Sequence, residues 1–508
     1  MNKKFTLTNA LLCLLALAPL CNGQEMEMLG TWSGVATAPS LWGGVELTLS
    51  RSADGWNANG RLQFQGRERS APVSDLEVDG AKVSFNMNWE NHRFRFNGQM
   101  EGNRLRGSFA TDLDGKAISG DWNLSKLTIP SASNQVELPA PTGPYPVGRT
   151  TFHWVDKSRE EAETKEAGDK RELVVHVWYP ATHSGGGAIY LPDLKEMGED
   201  LPRQEAAGMR ELRVAAEENA HVATVPRLFP IVIFSPGQGV KTLFYSSLHA
   251  DLASHGFVVA AVEHTYDAPV VVFPDGRAVR PLPKEKKPAS PTTPSQDMQA
   301  LRNEADYRAQ DMIFVKKKLA ELTGAGKNPF RRRLDLSRVA VFGHSIGGMA
   351  ALRACQIDAG IRACVNIDGG YRARPYPSDK AMGRPNQSLM WLRRPLYVFT
   401  DEQLKRIGMT RAEFNAEVLL GQQVMGGAKG GALDVRFPHV GVGHMDFSDV
   451  RILVPGISSE LRAARLLTLE MTRNWVREFI QKAFDSHMES LLTGTAVAYR
   501  EAQISMYE

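Results

Sequence analysis

The chain has 508 residues, more than one ordinary domain needs, and its 43% hydrophobic and 23% charged residues allow large buried cores. Its formal charge of +3 is nearly balanced, and no basic block is interleaved with aromatics, which argues against a nucleic-acid partner. The Cys and His residues show no zinc spacing and no acidic loop has calcium-site form, so no metal or cofactor is expected.

In chain order, the first element is "MNKKFTLTNALLCLLALAPLCNG". Lys3 and Lys4 precede an apolar run over 10–20, and the small residues Cys21 and Gly23 follow, as in a secretory signal peptide over 1–23. The run is too short to span a bilayer, and no later segment replaces it, so the mature chain is expected to be exported, periplasmic or secreted. Processing as a lipoprotein at Cys21 is disfavoured by the bulky Leu20.

Residues 24–127 alternate apolar and polar residues over short runs such as "GVELTLSRS" and "AKVSFNMN". Asp54-Gly55, Asp79-Gly80, Asn97-Gly98 and Asp114-Gly115 read as turns between them, which predicts a small antiparallel β-barrel or sandwich. Trp32, Trp42, Trp56, Trp89 and Trp122 fall here and are expected to be core rather than the lining of a ligand site. Residues 128–148, "TIPSASNQVELPAPTGPYPVG", read as a Pro-rich linker.

From 149 to 508 the apolar runs are continuous: "LVVHVWY", "PIVIFS", "FVVAAVEH", "RVAVFG", "ACVNID" and "PLYVFT". Strands apolar on both faces are buried on both faces, so a mostly parallel sheet flanked by helices is expected, with helices near 243–255, 297–322 and 346–359. "ELRAARLLTLEMTRNWVREFIQKAF" supplies a last amphipathic helix. Cys355 and Cys364 fall on a helix and the next strand, usually too far apart to bridge, so two buried thiols are favoured over a disulfide.

Within this domain "VAVFGHSIGGMAAL" places Ser345 between a buried strand and a helix, in the pattern Gly-x-Ser-x-Gly. The bare pattern is short and weak; the strand-turn-helix setting makes it a nucleophile elbow, with the Ile346 N–H offered to a developing oxyanion. A serine nucleophile needs a base and an orienting acid, which in this setting follow it at the ends of later strands. His444 in "GHMDFSD" is the candidate base, and Asp368 or Asp401 the acid. His264, His344 and His439 are expected to be structural.

The segments "VIFSPGQGVKTLFYSSLHADLASHGFVVAAVEH", "LRNEADYRAQDMIFV", "VAVFGHSIGG", "CVNIDGG" and "GHMDFSD" resemble the platelet-activating factor acetylhydrolase family of α/β-hydrolases. The resemblance covers most of 171–480. It implies the α/β-hydrolase fold and a Ser345–Asp368–His444 triad, and it makes the Gln238 N–H the second oxyanion donor. The chain departs from the family's usual histidine at Pro236, and the N-terminal β-domain and segments 181–228 and 371–393 have no counterpart. The implied activity is a secreted serine esterase, acting on short-chain or oxidised acyl phospholipids. The alternatives are a small-ester or polyester hydrolase, or a ligand-binding protein with an inert hydrolase domain.

Overall fold

The structure, a computed structural model, describes residues 27–126, 137–198, 209–282, 294–370, 387–394, 423–437, 442–485 and 503–507, with short breaks inside these spans and a few positions between 404 and 421. The signal-peptide segment, residues 127–136, Asp401 and His439 lie outside the described residues. The chain forms two compact units, one running to Thr128 and one starting at Ile129.

The first unit is an eight-stranded antiparallel closed barrel: β1 (Gly30–Ala38), β2 (Leu41–Ser52), β3 (Gly55–Phe64), β4 (Arg67–Asp79), β5 (Lys82–Trp89), β6 (His92–Glu101), β7 (Arg104–Leu113) and β8 (Lys116–Lys126). Strand β8 pairs back onto β1, Trp32 opposite Lys126, so no edge is left unpaired. Period-two alternation turns Trp32, Phe85, Phe94, Phe96, Phe109 and Trp122 inward, all buried. Phe85 stacks on Phe96 at 4.9 Å, and Trp122 meets both rings edge-on at 5.7 and 5.9 Å. The interior is filled by side chains, as the core reading of the tryptophans expects; Trp89 joins this core, and the side chain of Trp42 is outside the described residues.

One predicted turn is corrected. Asn97-Gly98 sits inside β6, not between strands. Gly98 faces Gly107 across the ladder, and a Cβ on Gly98 would lie 2.4 Å from the Trp122 ring, so the glycine makes room for an indole.

The second unit is a ten-stranded sheet. Its strands are β9 (Val147–Glu160), β10 (Lys170–Pro180), β11 (Glu217–Glu218), β12 (Phe229–Ser235), β13 (Val258–His264), β14 (Leu334–His344), β15 (Ala363–Ile367), β16 (Ser388–Arg393), β17 (Ala432–Arg436) and β18 (Gln503–Tyr507). They lie in the order β11-β9-β10-β13-β12-β14-β15-β16-β17-β18. The run from β13 to β17 is parallel throughout, while β9, β10 and β18 pair antiparallel to their inner neighbours.

Helices α1 (Ser246–Ser254) and α4 (Ser459–Asp485) cover one face, and α2 (Pro294–Gly324) and α3 (Ile346–Ile357) the other. Alternate residues of β12 feed the two layers: Val232 and Phe234 pack toward α1, Ile231 and Ile233 toward α2. This is the α/β-hydrolase arrangement, with the nucleophile strand β14 near the middle of the sheet.

The cysteine expectation is also corrected: Cys355 and Cys364 form a disulfide, their Cα atoms 6.5 Å apart. Helix α3 ends at Ile357 and the chain doubles back at once into β15, which brings the two residues within bridging range.

Candidate active site

Strand β14 ends at His344 and α3 begins at Ile346, so Ser345 takes the whole change of direction, with φ 57° and ψ −124°. That region is costly for any side chain and is kept only where the surroundings enforce it. The surroundings here are glycines. A Cβ on Gly343 would lie 2.2 Å from the Gly347 carbonyl oxygen, and one on Gly347 would lie 2.1 Å from the Ser235 oxygen. The motif's spacing therefore follows from crowding around the turn. The Ser345 N–H donates to the Ile367 carbonyl at 2.8 Å, which fastens the elbow to the end of β15.

Asp368 is the next residue after β15 and also has a positive φ, 48°. Its Oδ2 lies 2.5 Å from His444 Nδ1. Arg394, just past β16, donates from Nε to the same Oδ2 at 2.6 Å and from its backbone N–H to Oδ1 at 3.2 Å. Burial works to raise the Asp368 pKa, but the hydrogen bond to His444 and the charge of Arg394 hold it below the usual carboxylate range. The carboxylate stays charged and accepts from Nδ1–H, which leaves Nε2 of His444 as the basic nitrogen.

His444 opens a short 3-10 turn, His444–Phe447, beyond β17. The turn is fixed by the Gly443 N–H, which donates to Asp446 Oδ2 at 2.6 Å, and by Asp449, whose Oδ2 accepts the Ser247 N–H at the start of α1 at 3.0 Å. The His444 ring lies 4.5 Å, centre to centre, from that of His344, the neighbour of Ser345. Serine, acid and histidine thus gather at the carboxyl edge of the sheet.

Gln238 lies in the loop that leaves β12. The adjoining Gly237 packs on the nucleophile: a Cβ there would lie 3.5 Å from Ser345 Cβ. Among the described residues no acceptor is engaged by the Gln238 N–H or by the Ile346 N–H at the start of α3. Pro236 has no N–H to offer, and its carbonyl accepts from Arg308 Nη1 at 2.9 Å.

The ligand atoms of His344, Asp368 and His444 lie within 4.8 Å of one another, close enough to hold a cation. His444 Nδ1 is engaged with Asp368, and His344 Nδ1 lies 2.7 Å from the Tyr245 hydroxyl. Burial drives His344 down to about 3, so it is neutral beside His444.

Arg394 and Tyr245 were missed by sequence reasoning. Arg394 follows "SLMWLR", a six-residue strand hidden in a segment read as an insertion; Tyr245 reads as an ordinary helix aromatic. Their roles follow only from contacts across the fold.

Several known proteins are similar to this chain. The family model of platelet-activating factor acetylhydrolase, isoform II, matches residues 130–380, a span that holds Gln238, Ser345, Ile346 and Asp368 and stops before His444. A probable 1-alkyl-2-acetylglycerophosphocholine esterase of Arthroderma benhamiae is 27% identical over 250 residues, 46% of this chain and 59% of its own length. The platelet-activating factor acetylhydrolase of Bos taurus is 30% identical over 166 residues, 30% of this chain and 37% of its own length. The chain therefore spans less than two thirds of these relatives. A ferulic acid esterase from Streptomyces cinnamoneus superposes with a TM-score of 0.54 and 28% identity over 74% of this chain and all of its own.

The fold and the elbow are those of an α/β-hydrolase. Within that class, the chain is similar to the platelet-activating factor acetylhydrolases over residues 130–380.

Proposed function

We propose that the chain hydrolyses carboxylic esters through an acyl-enzyme, with Ser345 as nucleophile, His444 as base and Asp368 as orienting acid. The observation that carries this reading is the Asp368–His444 contact of 2.5 Å beside a serine on a positive-φ elbow. Ser345 Oγ attacks the ester carbonyl as its proton passes to His444 Nε2. The Gln238 and Ile346 N–H groups receive the oxyanion, and His444 returns the proton to the departing alcohol. Water, deprotonated by the same nitrogen, then releases the acid and restores Ser345.

The substrate class proposed first is a phospholipid with a short or oxidised acyl chain, supported by the family match and by the fungal relative's name. A second reading, a small aromatic ester, is supported by the ferulic acid esterase, which aligns over its whole length. The chain is proposed to be exported on the strength of the segment over 1–23; among the described residues no helix is long and apolar enough to cross a membrane.

An ester panel tests the reading: 2-acetyl, 2-butanoyl and long-acyl phosphatidylcholines, methyl ferulate and p-nitrophenyl acetate. Hydrolysis is expected for the short acyl groups and to fall steeply with acyl length. Preference for the long-chain lipid would overturn the phospholipid assignment, and the highest kcat/KM on methyl ferulate would move it to aryl esters.

A further inference from the structure

The fold contains a second Ser–His–Asp alignment, and the esterase reading makes no use of it. Ser235 ends β12, His264 ends β13, and Asp311 lies in the middle of α2. Ser235 Oγ is 2.8 Å from His264 Nε2, and His264 Nδ1 is 2.8 Å from Asp311 Oδ2. Arg171 Nη2 and Arg159 Nη2 donate to the two Asp311 oxygens, each at 2.7 Å. An anionic Asp311 makes Nδ1 of His264 the protonated nitrogen, so Nε2 accepts and the Ser235 hydroxyl must donate.

This serine is 0% exposed and cannot meet a substrate. What it can do is hold the loop that begins beside it. Pro236 O accepts from Arg308 Nη1 at 2.9 Å, while Arg308 Nη2 pairs with Asp267 Oδ1 at 2.7 Å and Nε with Glu304 Oε1 at 2.7 Å. Asp267 Oδ2 in turn accepts the Gly239 N–H at 3.1 Å. Gly237 packs on the elbow, where a Cβ would lie 3.4 Å from His344 Nδ1, and the Tyr245 hydroxyl is 2.7 Å from that same nitrogen. Residues 235, 236 and 239 are therefore each tied by a side chain, Gly237 is packed against the elbow, and Gln238 between them keeps its N–H for the site. The Ser235 carbonyl also lies in the space that a Cβ on Gly347 would need, so the loop is seated directly on the elbow.

We propose that Ser235, His264 and Asp311 are positioning residues: a buried relay, with Arg308 and Asp267 beside it, that sets the oxyanion loop so that the Gln238 N–H meets the transition state. The inference rests on the esterase reading above. It assigns these residues no contact with substrate. A donor that acts only on the developing oxyanion lowers kcat when misplaced and leaves substrate binding alone, and full loss of one such donor typically costs about 10²–10³ in kcat.

The test compares Ser235→Ala, which removes one hydroxyl, and His264→Gln with the full-length wild type. Active sites are counted by fluorophosphonate labelling, and kcat, KM and melting temperature are measured with p-nitrophenyl acetate. Labelling of wild type at Ser345 checks the esterase reading separately, so failure of that reading appears there and not in the variants. Expected are a kcat per labelled site at least about tenfold lower in both variants, KM within about threefold of wild type, and a matching loss of affinity for a trifluoromethyl ketone that mimics the oxyanion. If kcat per site stays within twofold, or KM alone changes, the relay is only structural and the proposal is overturned. Should His264→Gln not fold, Ser235→Ala decides by the same criteria, because losing a hydroxyl opens almost no cavity.

Discussion

His444 Nδ1 and Arg394 Nε converge on one oxygen, Asp368 Oδ2, at 2.5 and 2.6 Å. Arg394 thus helps to hold the Asp368 carboxylate ionised, below its usual range, and fixed on His444. Replacing Arg394 by Gln retains a hydrogen-bond donor and deletes the charge, and should lower kcat on p-nitrophenyl acetate by about tenfold, with Arg394→Lys restoring most of the loss. A kcat of Arg394→Gln within twofold of wild type would refute this electrostatic role.

Asp368→Asn tests the acid itself. An amide donates where the carboxylate accepted, favours the wrong tautomer of His444 and should lower kcat by about 10⁴, with the melting temperature changed far less. Retention of more than a tenth of wild-type kcat would reassign the orienting acid, Asp401 then being the candidate to replace next.

Asp449 joins the histidine turn to α1 through the Ser247 N–H and hydroxyl, and burial pushes its carboxyl up to about 7. Its ordinary unfolded value is about 3.9, so the folded chain holds a proton that the unfolded chain has lost between roughly pH 4 and 7. Its contribution to stability is complete at low pH and disappears as pH rises through about 7. Asp449→Asn stays neutral, so its melting temperature should fall less between pH 5 and pH 8 than that of wild type. Equal falls in the two proteins would contradict the raised value. Glu263, raised to about 7 by burial, and Asp446, also raised by burial, add dependence of the same sign.

The barrel fills its own interior and closes its own sheet, so the hydrolase unit should not need it to fold. A fragment of residues 129–508 is expected to keep p-nitrophenyl acetate hydrolysis within about threefold of the full chain. A soluble, folded and inactive fragment would assign the barrel a part in the site.

Much of this was legible in the sequence because it is local. The elbow shows itself as Gly343-x-Ser345-x-Gly347 after a continuous apolar strand, and the barrel as short alternating runs with Gly55, Gly80 and Gly115 at turns. Asn97-Gly98 was misread because the same dipeptide serves a tight turn and a close strand approach, and only Trp122, from a distant strand, tells them apart. The disulfide depended on how sharply the chain returns from α3 into β15, which element types alone do not fix. Arg394, Tyr245 and the Ser235–His264–Asp311 alignment join residues up to about a hundred positions apart, and no periodicity in the sequence marks such contacts.

The central claim is that Ser345 carries the chemistry. Its most direct measurement is mass spectrometric mapping of a fluorophosphonate adduct on wild type and on Ser345→Ala, together with p-nitrophenyl acetate turnover. The account predicts one adduct per chain on the peptide containing Ser345, no adduct in the variant, and a kcat lowered by about 10⁴–10⁶ with the fold retained. Labelling at another residue, or a Ser345→Ala protein within tenfold of wild type, would contradict it.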